Sequence, residues 1–92
     1  MEYAVADVEK KTVEVILNDD FLSRQSVTVK DSKLFGSEKD SSYVLIEGND
    51  GIKEHLKKIG INILEEKKAA EVREKIKKEE DEAAGGLGFL FS

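Results

Sequence analysis

Cysteine is absent from this chain. A disulfide scaffold and a cysteine-based zinc site are therefore excluded. Proline and tryptophan are absent too, and histidine occurs once, at His55. A lone histidine without cysteine makes a poor metal site. No metal and no cofactor are expected. No apolar run approaches the ~20 residues that a membrane-spanning helix needs. No basic region precedes an apolar stretch near Met1, so no signal peptide is expected. The expected location is the cytoplasm.

What is abundant is charge. Fifteen Lys and Arg stand against 20 Asp and Glu, a net charge of −5 over 92 residues. That balance argues against nonspecific DNA binding, which needs a net basic face. It suits a basic protein partner. Much Glu and Lys with a single Gln is a thermophile-like usage. The missing proline does not follow that pattern. The length fits one small domain.

The chain is organised around residues 43–64, which read as strand, turn, helix, turn, strand. Tyr43-Val44-Leu45-Ile46 is a short apolar run rich in β-formers. Gly48-Asn49-Asp50-Gly51 is turn chemistry, with Asn49 or Asp50 able to cap a helix. Ile52, Leu56 and Ile59 recur at helical spacing. Gly60 suits a left-handed C-cap, and Ile61 and Ile63 alternate like a half-buried strand. A crossover of this length predicts parallel strands at 43 and 61.

Earlier in the chain, residues 3–8 read as a first strand. Residues 12–17 read as a second, with Val13, Val15 and Leu17 on one face and Ile16 breaking the alternation. The short link between them predicts a hairpin. Phe21 and Leu22 suggest one helical turn capped by Asp19 or Asp20. Residues 26–30 alternate as a third strand with Val27 and Val29 inward, and residues 31–42 form a long loop. Residues 65–84 read as a charged helix, with Glu71–Lys75 and Glu74–Lys78 as i,i+4 pairs. Its apolar stripe is thin: Leu64, Ala69, Val72 and Ile76. Beyond Lys77 it is polar all round and expected to protrude or fray.

The fold class is therefore α+β: a small mixed sheet of roughly four or five strands with one packed helix, then a charged C-terminal helix and a flexible tail. The expected division is a domain over 1–64, to whose core the later tract adds little, a helix over 65–84 and a hydrophobic tail over 85–92.

Few residues invite a chemical role. His55 lies beside the apolar face of its helix and reads as a surface residue. Asp19-Asp20 and Asn49-Asp50 lack the spacing of a calcium loop. Gly85-Gly86-Leu87-Gly88 neither follows a strand nor opens a helix, as a phosphate cradle requires. Arg24, Lys30, Lys33 and Lys39, with Phe21 or Phe35 as a stacking ring, would form a weak single-strand nucleic-acid site. No catalytic residues can be assembled, so no enzyme activity is expected.

The tail differs. Leu87, Phe89, Leu90 and Phe91 form an apolar cluster after an acidic stretch, where termini are usually polar. The run EEDEAAGGLGFLFS, residues 79–92, resembles the C-terminal tail of archaeal ribosomal stalk proteins. Those tails carry a Glu/Lys-rich tract and end in a Gly-Leu-x-x-Leu-Phe-like motif. The resemblance implies a helix docking onto translational GTPases, with Leu87, Leu90 and Phe91 as anchors and Phe89 as an extra one. It covers the tail alone: the helical dimerisation domain and Ala/Pro-rich hinge of that family are not found here. Residues 44–64 also resemble the second half of ferredoxin-like small-molecule-sensing domains, whose expected first helix is not read in the first half of this chain.

Burying Leu87, Leu90 and Phe91 is worth ~1.5–3 kcal/mol each. Ordering the segment costs ~2–5 kcal/mol. The remainder allows contact of about micromolar strength. The leading expectation is a non-enzymatic interaction protein whose tail enters a partner's hydrophobic groove. The alternatives are a small ligand-binding domain, with a pocket near 48–51 and a docked tail, or the nucleic-acid binder. Self-association through a sheet edge also stays open.

Overall fold

β1 (Glu2–Val8) is followed by a helix, α1 (Lys10–Asn18), and not by a second strand. A 3-10 turn at Leu22–Arg24 leads into β2 (Ser26–Asp31), and another at Ser32–Phe35 precedes β3 (Ser42–Gly48). α2 (Ile52–Lys58) and α3 (Glu66–Phe91) complete the chain. The computed structural model describes the backbone of residues 1–91 and the side chains of residues 1–80. It is an α+β fold with a three-stranded antiparallel sheet of order β1–β3–β2.

The expected hairpin over residues 3–17 is corrected by this topology. β1 and β2 both run antiparallel to β3, so they are parallel to each other with β3 between them. A chain joining parallel strands must cross over a sheet face, and a helix usually does so. α1 is that crossover. The alternation of Val13, Val15 and Leu17 was the wrong period. Ile16, which interrupts it, is fully buried, and Val13 packs against the same core one turn earlier. Val15 and Leu17 are left 54% and 47% exposed.

The expected strand at residues 61–63 is reduced to one antiparallel bridge, Ala6 to Ile63, with Leu64 N–H donating to the Val5 carbonyl at 2.8 Å. It does not pair with β3, because β1 and β2 already occupy both sides of that strand. The sheet thus has three strands, fewer than the four or five expected.

Both faces of the sheet are covered. On one, Ala4, Ala6, Val44 and Ile46 meet Ile16 of α1, Leu22, and Ile52 and Leu56 of α2. On the other, Val5, Tyr43 and Leu45 meet Ala69, Val72 and Ile76 of α3. The expectation of one packed helix is corrected accordingly: α1 and α2 pack on the first face and α3 on the second. β3 is buried along nearly its whole length because it is the middle strand between two helical layers. Of the stripe read at Leu64, Ala69, Val72 and Ile76, the last three form the packing face of α3 and Leu64 packs beside them just before the helix, so the charged tract supplies a core layer.

The loop after β2 is tied at its base. Ser32 N–H donates to the Ser41 carbonyl at 3.1 Å, and the two hydroxyls lie 3.0 Å apart. Among the described residues, no helix is long and apolar enough to cross a membrane.

Candidate functional site

The sheet leaves one position half filled. Beyond Val5, the chain after Ile63 and Leu64 turns away into α3 and leaves β1. In a strand, the N–H and C=O of one residue point to the same edge, and the next residue's point to the other. The Val5 carbonyl faces outward to Leu64. The Val5 N–H and both backbone groups of Tyr3 therefore face outward as well. Among the described residues, no backbone pairs with this edge from Glu2 to Ala4.

Beside that open edge runs a groove of about 990 Å³. Tyr3, Ala4, Ile63, Leu64, Ala69 and Ala70 give it apolar walls. Three of these are alanines, and their small side chains leave the space between α2 and α3 unfilled. Lys53 and Lys57 of α2, Lys67 of α3, and Glu65 and Glu66 stand around it. The Glu2 carboxylate accepts from Lys53 N–H at 3.0 Å and holds the start of α2 against β1. The site offers strand-type hydrogen bonds, apolar surface and charges of both signs.

Tyr3 is held from the far side. Arg73 lies over its ring, 4.5 Å from the centroid, within reach of a cation–π contact. Arg73 Nε and Nη2 both donate to Glu47 Oε2, at 3.1 and 2.8 Å, and Lys77 Nζ donates to Oε1 at 2.7 Å. Tyr3 and Glu47 are opposite each other in the β1–β3 register. Burial pushes the Glu47 carboxyl up, but the bonds from Lys77 and Arg73 outweigh it and hold its pKa below the ordinary value.

A second, smaller recess of about 310 Å³ lies near Gly51, lined by Phe21, Asp50, Gly51, Glu54, His55 and Lys58. It is where a ligand-binding reading expects a pocket. Here His55 has a partner: its Nε2 lies 2.9 Å from both carboxylate oxygens of Asp19. Phe21 packs on the imidazole at 5.0 Å between centroids. Asp19 Oδ1 also accepts from the N–H groups of Phe21 and Leu22, each at 3.0 Å. The His55 hydrogen bond, then that from Leu22, lowers the Asp19 pKa against opposing desolvation. Of the two caps the sequence offers, Asp19 and Asp20, it is Asp19 that accepts from the turn, and through His55 it also fastens the 3-10 turn to α2.

The structure does not bring the proposed nucleic-acid residues together. Phe21 packs against the first face of the sheet and Phe35 against the second. Arg24 pairs with Asp20, Lys30 with Glu79 and Lys33 with Asp40. Lys39 lies in the loop, its N–H bonded to Ser37 Oγ at 3.1 Å. The side chains of Leu87, Phe89, Leu90 and Phe91 lie outside the described residues. So does the flexible tail expected over 85–92, apart from the helical backbone of α3 that ends at Phe91. Among the described residues, no three His, Asp or Glu side chains converge to hold a metal.

Sequence reading missed the β1 groove and Glu47. The one signal for the groove was alanine at positions 4, 69 and 70, where bulk would fill it. No family model, curated protein or solved structure matches the chain.

Proposed function

We propose that this chain is a non-enzymatic interaction protein that takes an extended peptide segment along the open edge of β1. The observation that carries this reading is the unpaired outward backbone of Tyr3 and the Val5 N–H beside a 990 Å³ groove. Addition of a strand to an exposed sheet edge draws affinity from main-chain bonds and selectivity from flanking pockets. The Tyr3 N–H and C=O and the Val5 N–H supply the bonds, the Val5 carbonyl being taken by Leu64. The groove between α2 and α3 supplies the pocket, and the mixed rim of Lys53, Lys57, Lys67, Glu65 and Glu66 favours a segment with charge of both signs.

The test is selection of a random dodecapeptide library against the full chain, followed by NMR titration of the enriched peptides. The expected result is shifts and slowed exchange at the Tyr3 and Val5 amides. Ala70→Trp, at an exposed position of the groove wall, should abolish binding. Peptides that bind elsewhere, or that bind the variant equally well, would overturn the reading.

The apolar tail is the second contact element of the same proposal. Leu87, Phe89, Leu90 and Phe91 would enter a hydrophobic groove on a partner, with translational GTPases as the class the tail resemblance implies. Four large apolar residues at the end of an acidic tract support it. Leu90→Asp should abolish capture of a purified translational GTPase by the full chain. Capture unchanged by that substitution, or no capture by the unaltered chain, would remove the tail from the proposal.

A further inference from the structure

We infer that the opposite edge of the sheet, β2, is the interface through which two copies of this chain form a two-fold dimer with a continuous six-stranded sheet. β2 is a terminal strand, and its register against β3 is unbroken from Ser26 to Asp31. Among the described residues, no strand pairs with its outer edge.

The direction of its backbone groups follows from the register. The even residues of β1 face β3, because Val5 faces outward. The odd residues of β3 therefore face β2, and these are opposite Ser26, Thr28 and Lys30. Val27, Val29 and Asp31 are left with their N–H and C=O groups pointing away from the sheet.

Exposed edges are normally blunted by charge, proline or a bulge. This strand has neither proline nor bulge. Its two charged side chains are both engaged within the chain. Lys30 Nζ lies 3.5 Å from Glu79 Oε1 of α3, and Asp31 Oδ1 accepts from Lys33 N–H at 3.0 Å. Val27 packs against the core, but Val29, expected to face inward with it, stands 38% exposed at the edge of the sheet.

A second copy fits this edge because the strand is self-complementary. Antiparallel pairing about a two-fold axis must match outward-facing residues with outward-facing residues. That places the axis at Thr28 or at Val29. With the axis at Thr28, Val27 faces Val29 of the other copy, Thr28 faces its own equivalent, and Lys30 faces Ser26. With the axis at Val29, Lys30 faces Thr28 and Asp31 faces Val27. Neither arrangement opposes like charges, and both pair β-branched residues, which favours pairing.

α3 starts beside β1, where Leu64 bonds to Val5, and has reached β2 at Glu79, so the helix spans its face of the sheet up to the strand whose outer edge is open.

The test is sedimentation equilibrium of the full chain from micromolar to millimolar concentration. The expected mass is twice the 10.3 kDa of one chain. Val29→Pro removes an outward donor that β3 does not use, so circular dichroism should stay native while the dimer is lost. Val29→Lys, which leaves the backbone donor in place, should raise the dimer dissociation constant roughly tenfold or more. Because the chain has no cysteine, Thr28→Cys or Val29→Cys should cross-link on mild oxidation, whereas Glu38→Cys in the exposed loop should not. A monomer throughout the range overturns the inference. So does a dimer that Val29→Lys leaves unchanged, or one in which neither edge cysteine cross-links above the Glu38→Cys control.

Discussion

Glu47 on the middle strand and Arg73 on α3 meet through two hydrogen bonds to one carboxylate oxygen, at 3.1 and 2.8 Å. Lys77 occupies the other oxygen at 2.7 Å. Glu47 is 7% exposed, so its charge is tolerated only because both oxygens are satisfied. Arg73 and Lys77 are four residues apart and lie on the same side of the helix. The pair fixes how α3 lies across the sheet. Arg73 then reaches Tyr3 and steadies one wall of the groove.

Loss of this carboxylate should be felt in both stability and geometry. Glu47→Gln is expected to lower unfolding free energy by roughly 1–3 kcal/mol. Urea denaturation checks the size. The Tyr3 ring resonances should shift as Arg73 loses its anchor.

Acid should weaken the fold through two known groups. Asp19 and Glu47 both titrate below their ordinary values in the folded chain. In the ordinary carboxylate range the unfolded chain therefore binds protons that the folded chain does not. Their stabilisation is present above that range and is lost as pH falls through it to the lower folded values. Denaturation midpoints should hold near neutrality and drop below about pH 5. In Asp19→Asn the drop should be shallower.

The Asp19 carboxylate has more partners than the His55 imidazole. Asp19→Ala removes the His55 contact and the acceptor for Phe21 and Leu22 N–H, so it should cost roughly 1–2 kcal/mol. His55→Ala leaves the two backbone bonds in place and should cost less. Thermal unfolding of the two variants gives the order.

The period of residues 12–17 can be tested directly. Val15→Lys should change stability by no more than about 0.5 kcal/mol, because Val15 lies on the exposed side of α1. Ile16→Lys should prevent folding, since it buries an unpaired charge. Were the segment a strand with Val15 inward, the order would reverse. Circular dichroism with urea titration distinguishes the two.

α3 should prove essential to the sheet. Ile76 is fully buried in the core on the second face of the sheet, and Ile76→Ala is expected to cost about 2–5 kcal/mol. Gly48→Ala should also destabilise, because a Cβ there would run into the Gln25 side chain. That carboxamide accepts from Asn49 N–H at 3.0 Å and donates to the Phe21 carbonyl at 3.1 Å. Chemical denaturation checks both.

Local chemistry alone determined a good part of this molecule. The apolar runs of β1 and β3, the existence of β2, a cap at Asp19 or Asp20, the turn around Gly48–Gly51 and the spacing of Ile52 and Leu56 were all legible. So was the stripe of α3. Each depends on neighbours within a turn or a strand, where period and capping operate. Three things were decided only by tertiary structure. α1 is a helix despite its β-branched residues, because β1 and β2 lie on opposite sides of β3 and the chain must cross a face. The segment after α2 makes one bridge instead of a strand, because α3 draws it away to cover the second face. Glu47 is a buried anchor because Arg73 and Lys77, distant in sequence, arrive beside it. The groove on β1 and the bare edge of β2 belong to this second kind. An unpaired backbone edge has no residue type of its own, and it exists only once the strand order is set.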